Sequence, residues 1–159
     1  MGHSLGGGIA ALMTLIYHSE GLPVQGYTYA APPCVSRELA ESSESFIHSF
    51  SLHNDIVPRL SHKSMMRLRR SIEDIVFTKK NTQQGLLRTA LFTLMNNAIP
   101  SSMTRDELYV PGTVYCMEYS NSKGVKDSYK IYKDRREVLS HVKISKNMIT
   151  DHFLDGNYY

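Results

Sequence analysis

The most informative stretch of the sequence is its beginning, Met1-Gly2-His3-Ser4-Leu5-Gly6-Gly7-Gly8. Gly2, Ser4 and Gly6 form the G-x-S-x-G pattern of a nucleophile elbow, a tight turn between a strand and a helix that exposes a serine hydroxyl. The backbone of such a turn is strained, so we expect a side chain at either flanking glycine to collide with the neighbouring strand or helix. A glycine-rich phosphate nest is the alternative interpretation, and it is disfavoured because no lysine follows the glycines.

The residues after the elbow predict an amphipathic helix. Apolar side chains recur at positions i, i+3, i+4 and i+7, namely Ile9, Leu12, Met13 and Ile16. Gly21, followed by Pro23, predicts the end of this helix. An elbow also needs a strand before it, and only Met1 precedes Gly2. We therefore expect residues 1–159 to be the C-terminal portion of a single domain, with the elbow at 2–6 and the upstream strands missing.

The composition excludes several classes of protein. Of the 159 residues, 42% are apolar and 21% are charged, which is typical of a globular domain and not of a disordered or disulfide-rich chain. The net charge of +3 is too small to indicate a nucleic-acid binder. No apolar run approaches the ~20 residues of a membrane span, and no signal peptide precedes the elbow. A cytoplasmic or peripheral membrane location is therefore expected.

The spacing of the cysteines and histidines predicts neither a metal site nor a cofactor. Cys34 and Cys116 are far apart in the sequence, and the chain has no H-E-x-x-H motif. One disulfide is formally possible, but two free thiols in a reducing compartment are favoured.

Ser4 needs an acid and a histidine later in the chain, in that order. The stretches 24–30 and 46–53 have the aromatic and β-branched composition of strands. Asp55 follows the second stretch, at the edge of a parallel sheet where functional sites collect. His152 lies in a short loop after a further strand, which we predict at about 138–144. Asp55 and His152 are therefore the candidate acid and base.

The other histidines are interpreted as structural or surface residues. His3 is fixed in the elbow and points away from Ser4, and His141 lies within the predicted strand at 138–144. Asp151 adjoins the base in sequence, but neighbouring side chains diverge, so a solvated or capping role is expected for it. The remaining histidines of this set are His18, His48, His53 and His62.

Three motifs together resemble the class 3 lipases, the fungal-lipase-like α/β hydrolases. They are G-H-S-L-G-G-G at 2–8, N-D-I-V-P-R-L at 54–60 and M-I-x-D-H-F at 148–153. The segment L-Y-V-P-G at 108–112, before a predicted strand, resembles the branch of sn-1-specific diacylglycerol lipases. The resemblance extends over the chain and is weakest at 78–107. It implies the C-terminal half of an α/β-hydrolase fold, a mostly parallel sheet flanked by helices.

The resemblance also implies the chemistry, which is hydrolysis of the acyl esters of glycerolipids by a Ser-Asp-His triad. Ser4 matches the nucleophile, Asp55 the orienting acid and His152 the general base. The backbone N–H of Leu5, at the helix N-terminus, would donate to the oxyanion that develops during attack. Two alternatives stay open. One is a catalytically silent lipase remnant that binds a partner, and the other is a different serine acyl hydrolase, such as a phospholipase or a thioesterase.

The stretch at about 63–107 is helical and basic, and it is expected to be an insertion between the acid and the base. Packing alone predicts two amphipathic helices with a solvated basic face. The functional alternative is a surface that meets anionic lipid. The cations of that surface would be Lys63, Arg67, Arg69, Arg70, Lys79 and Lys80.

Overall fold

The computed structural model describes residues 1–78, 93, 106–120 and 128–153. Within these residues, five strands form one sheet, and helices flank it. The strands are β1 (Gly2–His3), β2 (Gly26–Tyr29), β3 (Ile47–Leu52), β4 (Thr113–Ser120) and β5 (Ser128–Asp134). The α-helices are α1 (Leu5–Ser19), α2 (Arg37–Ser42) and α3 (His62–Thr78). Short 3-10 helices lie at Val57–Arg59, Arg136–Leu139 and Thr150–His152.

The strands lie in the sheet in the order in which they follow one another in the chain. The first four run parallel, and β5 pairs antiparallel with β4. The predicted fold class is therefore confirmed, since this is a mostly parallel sheet with flanking helices, compatible with an α/β hydrolase. Because the carboxyl ends of parallel strands meet at one edge, the residues that follow β1 and β3 are brought together there.

A row of stacked rings aligns three neighbouring strands near this edge. Tyr29, Phe50 and Tyr115 occupy paired positions on β2, β3 and β4. Their ring centroids are 5.2 Å apart between Tyr29 and Phe50 and 5.0 Å apart between Phe50 and Tyr115. Offset aromatic contacts of this kind stabilise a sheet beyond the area that they bury. The stacking stabilises this register of β2, β3 and β4.

Helix α1 contacts the sheet through its small residues. Its buried positions are Gly7, Gly8, Ala11 and Thr14. The predicted helix is confirmed, but most of its large apolar side chains face outward, contrary to the usual orientation of an amphipathic helix, and Leu15 alone among those described packs against the core cluster of Ala11, Phe46 and Ile47. The reason is distance, because small residues let the helix backbone approach the strands closely. Among the described residues, the exposed apolar stripe on α1 consists of Leu5, Ile9, Leu12, Met13, Ile16 and Tyr17.

The strand predicted at 138–144 is wrong. The chain forms the 3-10 helix Arg136–Leu139 there and continues without strand pairing. The guanidinium of Arg136 donates to the carbonyls of Ala40, Val110 and Gly112, and the hydroxyl of Ser140 donates to the carbonyl of Glu137. The tertiary bonds of Arg136 and the local bond of Ser140 hold the segment in a turn, although its β-branched residues favour a strand.

The first helix predicted in the basic stretch is observed as α3. Two of its cations are engaged within the protein, since Arg67 pairs with Glu107 at 2.7 Å and the buried Arg69 pairs with Glu73 at 2.8 Å. Lys63 and Arg70 are exposed. The second predicted helix, Lys79 and Lys80 lie outside the described residues. In the part of the chain that the structure describes, no helix is both long enough and apolar enough to cross a membrane.

Candidate active site

The elbow holds Ser4 in a backbone conformation that serine rarely adopts. Its φ of 56° and ψ of −129° are strained for a residue with a side chain. Two kinds of bond hold it there: its N–H donates to the Tyr29 carbonyl at 2.9 Å, and its carbonyl accepts from Gly7 and Gly8 at the start of α1. Ser4 precedes α1 but does not cap it with its side chain. The hydroxyl is therefore left for other contacts.

The two glycines that flank Ser4 differ in their need to be glycine. A Cβ added at Gly2 would lie 2.2 Å from the backbone oxygen of Gly6, a collision that only glycine avoids. A Cβ added at Gly6 would meet nothing within 4 Å among the described residues. The expected collision is thus observed at Gly2, and the expectation was wrong for Gly6.

Asp55 lies in the turn after β3 and is fully buried. Its backbone N–H donates to the Leu52 carbonyl at 2.9 Å, and its Oδ1 accepts from the N–H of Val57 at 2.9 Å. Below this turn, the buried guanidinium of Arg59 donates to the carbonyls of Val138 and His53. These bonds hold the turn, and the N–H of Val57 is the backbone group that bonds to the carboxylate itself.

His152 completes a continuous chain of hydrogen bonds with Ser4 and Asp55. Its Nε2 lies 2.9 Å from the Oγ of Ser4, and its Nδ1 lies 3.1 Å and 3.3 Å from the two carboxylate oxygens of Asp55. Because an ionised carboxylate only accepts, Nδ1 carries the proton and Nε2 accepts from the serine hydroxyl. The three residues come from separate parts of the chain, so the fold itself brings them together.

Burial is the main influence on the acid. Desolvation raises the pKa of Asp55 above its ordinary value, while the N–H of Val57 and the imidazole of His152 pull that pKa back down. The imidazole thus compensates in part for placing a carboxylate out of water. This arrangement can orient an imidazole and stabilise its protonated form.

Leu5 is the first residue of α1 and follows Ser4 directly. The first N–H groups of a helix have no acceptor within the helix and carry the positive end of its dipole. Leu5 itself is 71% exposed. The backbone at Leu5 is therefore in a suitable position to stabilise negative charge near Ser4.

Two of the other candidate histidines make contacts outside the group formed by Ser4, Asp55 and His152. His53 accepts a hydrogen bond at Nε2 from the N–H of Tyr119 and so has a structural role. His141 is exposed and pairs with the hydroxyl of Ser140.

Sequence reasoning missed two contacts around the site. His3 bonds through Nε2 to the carbonyl of His152 at 3.0 Å. Asp151 accepts from the N–H of Asn54 at 3.1 Å. The only sequence signal for either contact is adjacency to a triad candidate, because the segments meet only in the folded chain.

Part of the chain is similar in sequence to known lipases. Residues 1–65 match the family described as Lipase (class 3), a span that includes Ser4 and Asp55. Diacylglycerol lipase-beta of Mus musculus is 36% identical over 77 residues, which are 48% of this chain and 12% of that protein. Diacylglycerol lipase-alpha of Homo sapiens is 29% identical over 77 residues, 48% of this chain and 7% of that protein. No solved structure matches the chain significantly.

These matches confirm the resemblance to class 3 lipases of the diacylglycerol lipase branch. They cover about half of the chain, less than the sequence motifs suggested, and His152 lies outside the family match. The chain spans only about a tenth of the length of the curated relatives that it matches.

Proposed function

We propose that this chain carries a serine hydrolase centre that cleaves acyl ester bonds of glycerolipids. The observation that supports the proposal most directly is the chain of hydrogen bonds from the Oγ of Ser4 through the imidazole of His152 to Asp55, with steps of 2.9 Å and 3.1 Å. Ser4 is the nucleophile, His152 the general base and Asp55 the acid that orients the imidazole.

The reaction proceeds through an acyl-enzyme. The Oγ of Ser4 attacks the ester carbonyl while its proton passes to Nε2 of His152. The resulting oxyanion accepts from the backbone N–H of Leu5. As the intermediate collapses, the ester C–O bond breaks and His152 returns the proton to the leaving alcohol. A water molecule then repeats these steps on the acyl-serine and releases the fatty acid and free Ser4.

The proposed substrate class comes from the two relatives described above, both of which are named diacylglycerol lipases. A triad does not encode the head group, so a phospholipase or thioesterase activity is the second candidate. A panel of diacylglycerol, triacylglycerol, phospholipid and acyl-thioester substrates separates these activities. Preferential release of fatty acid from the acylglycerols, abolished by Ser4→Ala, is the expected result.

A catalytically silent remnant is the remaining alternative. The family match covers residues 1–65, and the relatives are far longer than this chain. If none of the four substrates is turned over by the folded protein above the Ser4→Ala background, the chain has a binding role and the proposed hydrolase function is wrong.

Contact with anionic lipid is a further part of the proposal. Lys63 and Arg70 are the described cations of the basic stretch that are exposed on α3. Cations near an anionic surface attract it over about a Debye length, which would bring the active site to its lipid substrate. Arg67 and Arg69 contribute less to this attraction because Glu107 and Glu73 neutralise them.

A further inference from the structure

The base of the proposed triad lies on a short segment with little regular structure of its own. This segment, residues 147–153, is termed the base segment. Its only helix among the described residues is the 3-10 turn Thr150–His152. Local bonds close the turn, such as the N–H of Asp151 to the carbonyl of Asn147 at 2.7 Å. A segment of this kind cannot fix an imidazole by itself, so the contacts that it makes elsewhere decide where His152 lies.

Besides the bonds of the His152 imidazole itself, three hydrogen bonds among the described residues connect the base segment to the elbow and to the acid turn, residues 54–56 after β3. His3, adjacent to the nucleophile, contacts the carbonyl of His152 at 3.0 Å. Asp151, adjacent to the base, accepts from the N–H of Asn54, adjacent to the acid, at 3.1 Å. The backbone N–H of Ile56 donates to the carbonyl of Met148 at 3.1 Å. Two of the three contacts depend on side chains, those of His3 and Asp151.

We propose that His3 and Asp151 are positioning residues, which hold the base segment so that His152 reaches Ser4 and Asp55 together. The inference rests on the proposed function, since it assigns the two residues a role in that same site. The bonds of these two side chains run to backbone atoms, the carbonyl of His152 and the N–H of Asn54. His3 holds the carbonyl of His152, and Asp151 holds the residue that precedes His152, so both act on the base through the backbone next to it.

The geometry at His3 suits this role. Its backbone belongs to β1, which pairs with β2 at Tyr29, and its position is therefore fixed with the elbow. A carbonyl only accepts, so Nε2 of His3 carries the proton and donates. The rings of His3 and His152 are 5.0 Å apart. Burial is the main cause that lowers the pKa of His3, and the neighbouring His152 lowers it further. A neutral His3 adds no positive charge beside the imidazolium that forms during catalysis.

The hydrogen bond of Asp151 joins the base segment to the turn that carries Asp55. Its Oδ2 accepts from a backbone N–H on the residue before Asp55, 97 positions away in the chain. An amide oxygen could accept the same bond, so the position requires an acceptor and not a charge. The Asp151 contact thus links His152 to Asp55, whereas the His3 contact links His152 to Ser4.

Loss of either contact should misplace the imidazole without removing it. A displacement of about 1 Å in a reacting group can cost about 100-fold in rate. We expect His3→Ala to lower kcat for a soluble short-chain ester by tenfold or more, with KM changed less than twofold. His3→Gln places an amide N–H at a similar reach and should restore most of the loss. His141→Ala, at an exposed histidine outside the site, is the matched control and should match the wild type.

The Asp151 pair tests the other contact. Asp151→Ala removes the acceptor and should lower kcat by tenfold or more at nearly constant KM. Asp151→Asn keeps an acceptor oxygen and should retain most of the turnover. If each conservative variant is as slow as its alanine counterpart while the melting temperatures agree, the positioning role is wrong.

Hydrogen exchange separates this inference from the proposed function. The backbone N–H groups of residues 151–153 are bonded within the base segment, so their exchange reports how firmly the segment is held. We expect tenfold or faster exchange there in His3→Ala and Asp151→Ala at unchanged exchange in β3, and wild-type exchange in the conservative variants. If exchange changes in this way but the wild-type protein has no hydrolase activity, the positioning contacts are supported and the proposed hydrolase function is wrong. Unchanged exchange in both alanine variants would overturn the positioning role, whatever the activity.

Discussion

At the scale of single residues, Ser4 combines a strained backbone with a hydroxyl that bonds to an imidazole. The strain is sustained because Gly2 allows the elbow to close against the start of α1. Gly6 has no such constraint in the described structure. The two glycines of the motif therefore contribute differently to stability.

Alanine substitution should reveal this difference. Gly2→Ala forces a Cβ against a backbone oxygen and should cost about 1–3 kcal/mol of unfolding free energy, as other overpacked sites do. Gly6→Ala lies in the first turn of α1 with open space around it and should be neutral or stabilising by about 0.5–1 kcal/mol, because alanine favours helix over glycine. Thermal unfolding of both variants is the measurement. Equal losses at the two positions would contradict the asymmetry.

Asp55 should link stability to pH in a defined direction. Its folded pKa is raised above the ordinary 3.8 by burial, so the folded protein binds this proton more tightly than the unfolded chain does. The wild type therefore loses stability as the pH rises from about 4 through the raised folded pKa. Asp55→Asn does not lose this stability, because asparagine does not ionise. The unfolding free energy of the variant relative to the wild type should rise in that window, by at most about 1.4 kcal/mol per pH unit.

Chemical denaturation between pH 3 and pH 7 measures this difference. The sign of this stability difference is informative because Asp55→Asn should also lose activity. A site whose acid costs stability yet is needed for turnover fits a functional carboxylate better than a structural one. A relative stability that stays flat or falls with pH would contradict the assigned cause of the shift.

At the scale of elements, α3 tests the proposed lipid contact. Reversing both exposed cations with Lys63→Glu and Arg70→Glu should weaken binding to anionic vesicles at low salt by tenfold or more, because each cation contributes about 1 kcal/mol near such a surface. Turnover of a soluble ester should be unchanged, and the vesicle effect should fade at high salt.

The matched control for this pair is Arg69→Glu. Arg69 is buried and pairs with Glu73, so its reversal should lower stability and leave the exposed surface charge of α3 less affected. Vesicle binding by co-sedimentation, beside thermal unfolding, distinguishes the two variants. If the exposed pair binds vesicles as the wild type does, the basic stretch is an ordinary solvated surface.

Elements also show where sequence reasoning succeeds. The elbow, α1 and strands β2, β3 and β4 were predicted because composition and local turn chemistry specify them. The orientation of α1 and the segment at 138–144 were not, since both depend on distant partners. Ala11 and Thr14 face strands that the helix meets only after folding, and Arg136 draws its acceptors from several segments.

In the candidate site, too, local sequence predicts some features, and others depend on residues far away in the chain. Ser4, Asp55 and His152 could be selected from motifs and chain order. The contacts of His3 and Asp151 could not, because each joins segments about 100 or more residues apart. A motif identifies a reactive group, whereas its support arises from the tertiary structure.

At the scale of the whole molecule, the apolar stripe on α1 should make the chain associate. Exposed apolar residues in one continuous stripe are unusual for a monomeric protein. We expect the 159-residue protein to form concentration-dependent assemblies in light scattering after size exclusion, and Ile9→Lys with Ile16→Lys to reduce them. Ile144→Lys, at an exposed apolar residue outside α1, is the control. A monomeric wild type that melts cooperatively at high concentration would contradict this expectation.

The proposed hydrolase function requires Ser4 to be an activated nucleophile, and covalent labelling by a fluorophosphonate probe measures that reactivity. An ordinary serine reacts negligibly, whereas one bonded to a correctly oriented imidazole reacts quickly. Peptide mass spectrometry should find the probe on Ser4, with labelling absent in Ser4→Ala. Labelling should be slowed by several orders of magnitude in His152→Ala and in Asp55→Asn, with little further loss when the two are combined, because the three residues act as a unit. A folded wild type that does not label, or an Asp55→Asn variant that labels normally while Asp151→Asn does not, would contradict the claim.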